Sequence, residues 1–167
     1  MAESNGPLEI PPRGTRGART LWGGFWMRLF KPLADMQVSR YRRTATATPP
    51  TPSYLDFPLV LLTTKGARSG KLHTHPVGGF EQGDGTWLVV ASKSGASTHP
   101  SWFINLAKHP DEVWLEVGNR KLKVVPALLE GKDREEALAR IAAISPRYGE
   151  YQQKTDRKIP IIRLQPA

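Results

Sequence analysis

Two short polar turns carry the side chains best suited to chemistry in this sequence. They are KGARSGK, residues 65–71, and SKSG, residues 92–95, and each follows an apolar run. Glycine and serine allow backbone N–H groups to converge, and lysine or arginine adds positive charge, so such turns suit phosphate or carboxylate groups. Either turn alone is typical of a solvated hairpin. Because the two follow neighbouring predicted strands, the pair favours an anion site.

The histidines offer a second kind of chemistry. His73 and His75 are two residues apart, so in a strand they share one face, a spacing that occurs in metal sites. No carboxylate or third histidine stands in an obvious supporting position, and a polar strand face is the simpler interpretation. We therefore predict no metal site. His99 and His109 flank a predicted helix and are expected to cap it or pack against it.

Aromatic residues lie close to these polar segments in the sequence. Trp102 and Phe103 follow the second turn; at least one is expected in the core, and a ring there could also form the wall of a planar cofactor's site. Tyr148 and Tyr151 are three residues apart, so they share one face of a predicted helix. The spacing leaves two interpretations open for them, packing or hydrogen-bond donation in catalysis.

Composition excludes several classes of protein. The 167 residues include no cysteine, which excludes disulfides, thiolate catalysis and zinc–thiolate sites. Neither G-x-G-x-x-G nor G-x-x-x-x-G-K-[ST] occurs, so the common dinucleotide and P-loop motifs are missing. We expect no membrane-spanning helix and no secretion signal, because no long apolar run is present. The net charge of +9 suggests an anionic partner, either a membrane surface or nucleic acid.

The N-terminal part of the chain differs from the rest. Residues 1–20 are rich in proline, glycine and arginine and are predicted to be disordered. Residues 21–47 are predicted to form an amphipathic basic helix that Pro32 should kink or divide, and residues 48–57 a proline-rich linker. One half of the helical wheel carries Leu21, Trp22, Phe25, Trp26, Leu29, Phe30, Leu33 and Met36. A membrane interface suits such a helix; covering the following domain or a dimer partner is the alternative.

The remaining residues, 58–167, are predicted to form one domain of short strands and helices. Apolar runs and alternation predict strands at 58–64, 71–80, 86–92, 112–118, 120–130 and 159–165. Helices are predicted at 98–110, 133–145 and 146–155, with Thr98 as the N-cap of the first. Tight turns join most of these elements, which favours a small antiparallel barrel over a parallel sheet.

Three motifs give this domain a specific resemblance. L-L-T-T-K-G-A-R-S-G-K, then V-V-A-S-K-S-G-A-S-T-H-P-S-W-F-I-N-L-A-K-H-P, then Y-G-E-Y-Q-Q-K-T-D-R-K-I-P-I-I-R-L occur in order between residues 58 and 166. Together they resemble the deazaflavin-dependent nitroreductase family of actinobacteria. The resemblance implies an α+β fold, a six-stranded and mostly antiparallel split β-barrel similar to that of FMN-binding oxidases. It also implies coenzyme F420, a deazaflavin with a phosphate and an oligoglutamate tail, as the cofactor.

The resemblance also assigns roles to residues. It implies cofactor contacts for Arg68, Ser69, Gly70, His73, His75, Pro76, Ala91, Ser92, Lys93, Gly95, Trp102 and Asn105. It implies catalytic roles on the substrate side for Tyr148, Tyr151 and Ser92. Three positions depart from the family pattern: His73 replaces a common arginine, Gly78 a bulkier residue, and Ser145 a tyrosine of the best-known nitroreductases. These departures should reshape the acceptor pocket.

We therefore predict a reductase that transfers hydride from reduced F420 to a quinone-like, nitroaromatic or activated-alkene acceptor. The alternatives are an FMN-dependent reductase on the same barrel, or a non-catalytic module that binds a cofactor, a lipid or nucleic acid. The chain lacks a recognisable nucleic-acid motif, so we expect no nucleic-acid partner. We expect a cytoplasmic protein, with peripheral contact to the inner face of the membrane through residues 21–36. A homodimer is left open.

Overall fold

The structure, a computed structural model, describes residues 6–19 and 24–167, and for residues 24–31 it describes the backbone alone. One helix precedes six strands and three further helices. The helices are α1 (Gly24–Thr44), α2 (Ser101–Lys108), α3 (Gly131–Ile144) and α4 (Arg147–Lys154). The strands are β1 (Leu59–Lys65), β2 (Leu72–Glu81), β3 (Trp87–Val90), β4 (Val113–Val117), β5 (Arg120–Leu128) and β6 (Ile161–Pro166).

The strands form a closed barrel in the order β1-β2-β3-β6-β5-β4, and every neighbouring pair is antiparallel. The β1–β4 pair closes it, with Leu62 opposite Leu115. This confirms the predicted six-stranded antiparallel barrel. Each predicted strand is present, with its ends shifted by a few residues.

Strand alternation divides the core into two main clusters. Val89 packs with α2 residues such as Phe103, whereas Leu88 and Val90 pack with residues of α3 and α4. Successive side chains of a strand point to opposite faces, so β3 serves both clusters. As a result, α2 packs against the barrel on one face of β3 and α4 packs on the other face.

Helix α1 lies within the predicted range, residues 21–47, and contacts the barrel near its C-terminal end. Pro32 lies inside it and does not divide it. Val38 and Tyr41 are buried against Leu61 of β1, and Arg42 forms a bidentate ion pair with Glu116 at 2.6 and 2.9 Å. The side chains predicted for the apolar stripe between residues 21 and 31 lie outside the described residues. Two further members of that stripe, Leu33 and Met36, are exposed at 47% and 58%.

Residues 6–19 correct the prediction of a disordered segment. Their backbone lies along the barrel, with N–H groups of Leu8, Gly14 and Ala18 donating to carbonyls of α2 and of residues 95–97 at 2.8–2.9 Å. Leu8 and Ile10 also pack against the main core. The proline-rich composition was misleading. Prolines hold the segment extended and reduce the conformational entropy that it loses on folding, and the other residues can still pair their backbone groups with a neighbouring surface.

Two smaller findings concern helix ends and membranes. Thr98 is not the N-cap of α2; that position is Pro100, and the Thr98 hydroxyl instead accepts a hydrogen bond from Lys93. His109 is the C-cap residue, as expected for a histidine next to this helix. In the described ranges no helix combines the length and apolarity needed to cross a bilayer.

Candidate active site

The second polar turn adopts a left-handed backbone over three residues. Lys93, Ser94 and Gly95 have φ values of 44°, 53° and 79°. Hydrogen bonds from Gly95 N to Ser92 O and from Ala96 N to Lys93 O close the turn at 2.9 and 3.0 Å. A left-handed conformation costs free energy for lysine and serine, and such strain persists only where the surroundings impose it.

Arg157 is a buried side chain that hydrogen-bonds to the backbone on both sides of this turn. It is 2% exposed, and its guanidinium donates to the carbonyl oxygens of Ala91, Ser92 and Ala96 at 2.8–3.1 Å. Burial lowers its pKa to about 10, so it remains charged at neutral pH. Sequence reasoning missed this role, although Arg157 stands inside the T-D-R-K-I-P motif. The available signal was a charged residue placed just before an apolar strand.

His99 links the guanidinium to the N-terminal segment. Its Nδ1 lies 3.2 Å from Arg157 Nη1 and its Nε2 lies 2.8 Å from the carbonyl oxygen of Pro11. Arginine can only donate and a carbonyl can only accept, so these contacts fit a neutral ring with the proton on Nε2. Burial, the largest cause, lowers the pKa of His99 and agrees with that neutral form.

The N-terminal segment continues across the second turn to the end of α4. The carboxylate of Asp156 accepts hydrogen bonds from Thr15 N at 3.1 Å, Thr15 Oγ1 at 2.5 Å and Arg16 N at 2.9 Å. These bonds lower the pKa of Asp156 to about 2. Between the segment and α4 lies a groove of about 560 Å³, lined by Arg16, Gly17, Ala18, Glu150, Gln153 and Lys154. No sequence pattern predicts this arrangement, because its contacts join residues about 140 positions apart.

Lys93 stands in an electropositive part of this cluster. Its Nζ donates to Thr98 Oγ1 at 2.8 Å. Burial lowers the pKa of Lys93 most, and the nearby charges of Arg157 and Arg13 lower it further. Two cations therefore act on a third at the second turn, which is the electrostatic setting of an anion site.

The first polar turn is held from two sides. The Ser69 hydroxyl lies 3.2 Å from His73 Nε2, and Ala67 N donates to Asn105 Oδ1 at 2.9 Å. Gly70 has a φ of 66°, which suits glycine. Arg68 is exposed. Asn105 therefore attaches this turn to α2, while Lys93 and Thr98 lie just before the same helix, so α2 supports both turns.

Other residues assigned by the resemblance lie in or near the barrel wall. His75 and Pro76 are partly buried in β2, opposite Leu62 and Leu61 of β1. Burial, followed by the charge of His73, lowers the pKa of His75. Trp102 is 8% exposed and belongs to the main core cluster. No three histidine or carboxylate side chains within the described ranges are grouped as a metal site would require.

The predicted tyrosine pair lies on α4, whose backbone packs against the second turn. Gly95 is so close to this helix that a β-carbon there would lie 2.7 Å from Tyr151 O. Tyr148 is 6% exposed and packs against Phe57 and Phe80, while Tyr151 is partly buried with its ring edge-on to Tyr148, 5.8 Å between centroids. Burial raises the pKa of Tyr148 well above its usual value. Gly95 of the second turn therefore packs against the helix that carries both tyrosines.

Comparison with known proteins identifies the family. A family model described as F420H(2)-dependent quinone reductase matches residues 33–166. The chain is 34% identical over 112 residues to the F420H(2)-dependent quinone reductase Rv1261c of Mycobacterium tuberculosis strain H37Rv, covering 64% of this chain and 72% of that protein.

Solved structures agree with that match. One, described as an F420-H2 dependent reductase (FDR-A), is 40% identical with a TM-score of 0.59, over 66% of this chain and 96% of its own. Another, described as a domain-swapped dimer, is 35% identical with a TM-score of 0.60, over 81% of this chain and all of its own. The chain belongs to the F420H(2)-dependent quinone reductase family, and it is an oxidoreductase whose cofactor is coenzyme F420.

Proposed function

We propose that the protein reduces a quinone-type acceptor with reduced F420, and that the two polar turns hold the anionic part of the cofactor while Tyr148 and Tyr151 line the acceptor side. The observation that carries this proposal is the charge at the second turn. Lys93 is partly buried beside Arg157 and Arg13, two further cations. An anionic phosphate or glutamate tail would offset this excess, so the donor set fits F420.

Reduced F420 supplies a hydride when it is bound. The chain's own contribution is to hold the partners together and to stabilise charge on the acceptor. Tyr148 keeps its proton, since burial raises its pKa, and a neutral phenol donates a hydrogen bond to an oxygen that becomes negative. Tyr151 is the more exposed of the two tyrosines, so we assign it the direct contact with the acceptor. Tyr148 would then support the Tyr151 ring and form the pocket wall.

Cofactor choice tests the first half of the proposal. Equilibrium fluorescence titration should show much tighter binding of F420 than of FMN, because FMN lacks the oligoglutamate tail. Lys93→Gln should weaken F420 binding about 10-fold or more, the range for a charge-assisted contact. Arg68→Gln should have a smaller effect because Arg68 is exposed. Lys121→Gln, an exposed lysine of β5, is the control. Equal or tighter binding of FMN would overturn this assignment.

We extend the proposal to the location of the enzyme. Leu33 and Met36 are exposed apolar side chains, while Val38 and Tyr41, on another face of α1, attach the helix to the barrel. Exposed arginines follow at positions 40 and 43. An apolar stripe beside cations suits the surface of an anionic membrane. We therefore propose that residues 21–36 contact the inner face of the membrane, where lipid quinones dissolve.

A second copy of the chain is the remaining partner in this proposal. The relative described as a domain-swapped dimer supports it, because that protein is matched over 81% of this chain. Light scattering of the purified full-length protein should give the mass of a dimer. A monomer mass across the micromolar range would contradict this part alone and leave the proposed activity unaffected.

A further inference from the structure

Arg157 is one of the largest fully buried side chains among the described residues, and its hydrogen-bond partners are neutral. They are the carbonyls of Ala91, Ser92 and Ala96 together with the Nδ1 atom of His99. A second buried arginine offers a contrast. Arg134, 3% exposed, also donates to a carbonyl, that of Ile159, but its Nη1 is paired with Glu135 at 2.7 Å.

Burying a cation without a carboxylate partner costs solvation free energy. Burial costs a guanidinium several kcal/mol of solvation, and carbonyl dipoles recover only part of it. Arg157 nevertheless stays charged, because its pKa of about 10 is still well above neutral. Among the residues that the structure describes, no carboxylate contacts this guanidinium, so its positive charge lies uncancelled beneath the second polar turn.

The hydrogen bonds of Arg157 also connect the two ends of the second polar turn. The three carbonyls that meet Arg157 belong to residues on both sides of the left-handed turn at Lys93–Gly95. Because one planar guanidinium donates to all three, it fixes the distance and direction between the two ends of the turn. Lysine could not do this, since an ammonium is a point charge without a planar fork of donors.

We propose that Arg157 is a positioning residue for the cofactor, which fixes the second polar turn in its binding shape and adds buried positive charge beneath the bound anion. It acts through the turn and touches neither cofactor nor acceptor. The inference rests on the proposed function, because it assumes that this turn holds the anionic cofactor. Arg157 is not among the site residues that the family resemblance implied.

Three variants test the proposal by F420 titration. Arg157→Lys keeps a charge but loses the fork, and Arg157→Met removes both. We expect the Kd for F420 to rise on the order of 10-fold for Arg157→Lys and 100-fold for Arg157→Met, as for charged hydrogen bonds. Arg134→Lys is the control, expected to lower thermal stability and to leave the Kd within about two-fold.

The kinetic pattern separates positioning from chemistry. A residue that acts through cofactor binding should raise KM for reduced F420 and change kcat little once the cofactor is saturating. A general loss of structure would instead lower the folded fraction without this KM effect. Circular dichroism and thermal unfolding of each variant provide the folded fraction to which activity is normalised.

A measurement on the wild-type protein covers the case in which the variants do not fold. Hydrogen exchange of the Gly95 and Ala96 amides without cofactor should already be slow, because these two amides close the turn that Arg157 holds before binding. Fast exchange there would overturn the proposal, and so would an unchanged Kd in folded Arg157→Lys and Arg157→Met. If the wild type itself did not bind F420, the proposed function would fail. That result differs from one in which the wild type binds F420 and the Arg157 variants bind it equally well.

Discussion

The hydroxyl oxygen of Tyr148 occupies the space beside the α-carbon of Gly78. A β-carbon at position 78 would lie 2.5 Å from that oxygen and 2.7 Å from Phe57 Cε2. The Tyr148 hydroxyl can therefore lie here only because residue 78 has no side chain. The departure noted at Gly78 in the sequence has a structural consequence, because it lets a tyrosine lie deep against β2.

Gly78→Ala should therefore disturb the pocket wall. Overpacking of this kind typically costs about 1–3 kcal/mol of unfolding free energy, measured here by urea denaturation. Tyr148→Phe removes one of the two close contacts, so the double variant should recover part of that loss, whereas independent sites would add. Gly149→Ala is the control: its β-carbon would meet Ala142 at an ordinary 3.5 Å, and alanine favours a helix. Additive losses would show that the two positions are not coupled.

Tyrosine substitutions test the acceptor side. Tyr151→Phe should lower kcat for menadione on the order of 10- to 100-fold with little change in KM, since a donor to developing charge acts in the transition state. Tyr148→Phe should have the smaller effect because that residue is 6% exposed. Its pKa is raised, so the phenol stays protonated through mildly alkaline pH and no loss of rate there should trace to it. Full turnover in both variants would identify the tyrosines as packing residues.

The sequence predicted the barrel well because its signals are local. Apolar runs such as residues 58–64 and the turn around Lys93 needed no knowledge of distant partners. Arg157 and residues 6–19 were missed for the opposite reason. The guanidinium meets carbonyls more than sixty residues away along the chain, and Leu8 meets α2 across about a hundred residues. Neither contact leaves a periodic pattern, and proline-rich composition normally indicates disorder.

The contacts of Asp156 predict how the N-terminal segment responds to acid. Its pKa is depressed from 3.8 to about 2, so the contribution of its hydrogen bonds is complete above the unfolded value and is lost as pH falls towards 2. Exchange of the Thr15 and Arg16 amides, corrected for intrinsic rates, should accelerate over that interval. At neutral pH, Asp156→Ala should speed tryptic cleavage after Arg13 and Arg16. Asp111→Ala, an exposed acid elsewhere, should cleave like the wild type; unchanged cleavage in Asp156→Ala would show that other contacts hold the segment.

Vesicle binding tests the exposed stripe of α1 without deleting the N-terminus, because such a deletion would also remove residues 6–19 from the second polar turn. Leu33→Glu with Met36→Glu should reduce co-sedimentation with phosphatidylglycerol vesicles roughly 10-fold or more, because two apolar side chains lose their burial in the interface and two negative charges meet an anionic surface. Binding of the wild type should weaken at high salt, as expected for cations at a charged surface. Ile144→Glu is the matched control, since Ile144 is 56% exposed and Met36 58%, but it lies at the end of α3. The double variant should keep its affinity for F420, because neither residue contacts the polar turns. If it sediments like the wild type, the stripe does not contact lipid, and α1 serves the barrel through Val38 and Tyr41 alone.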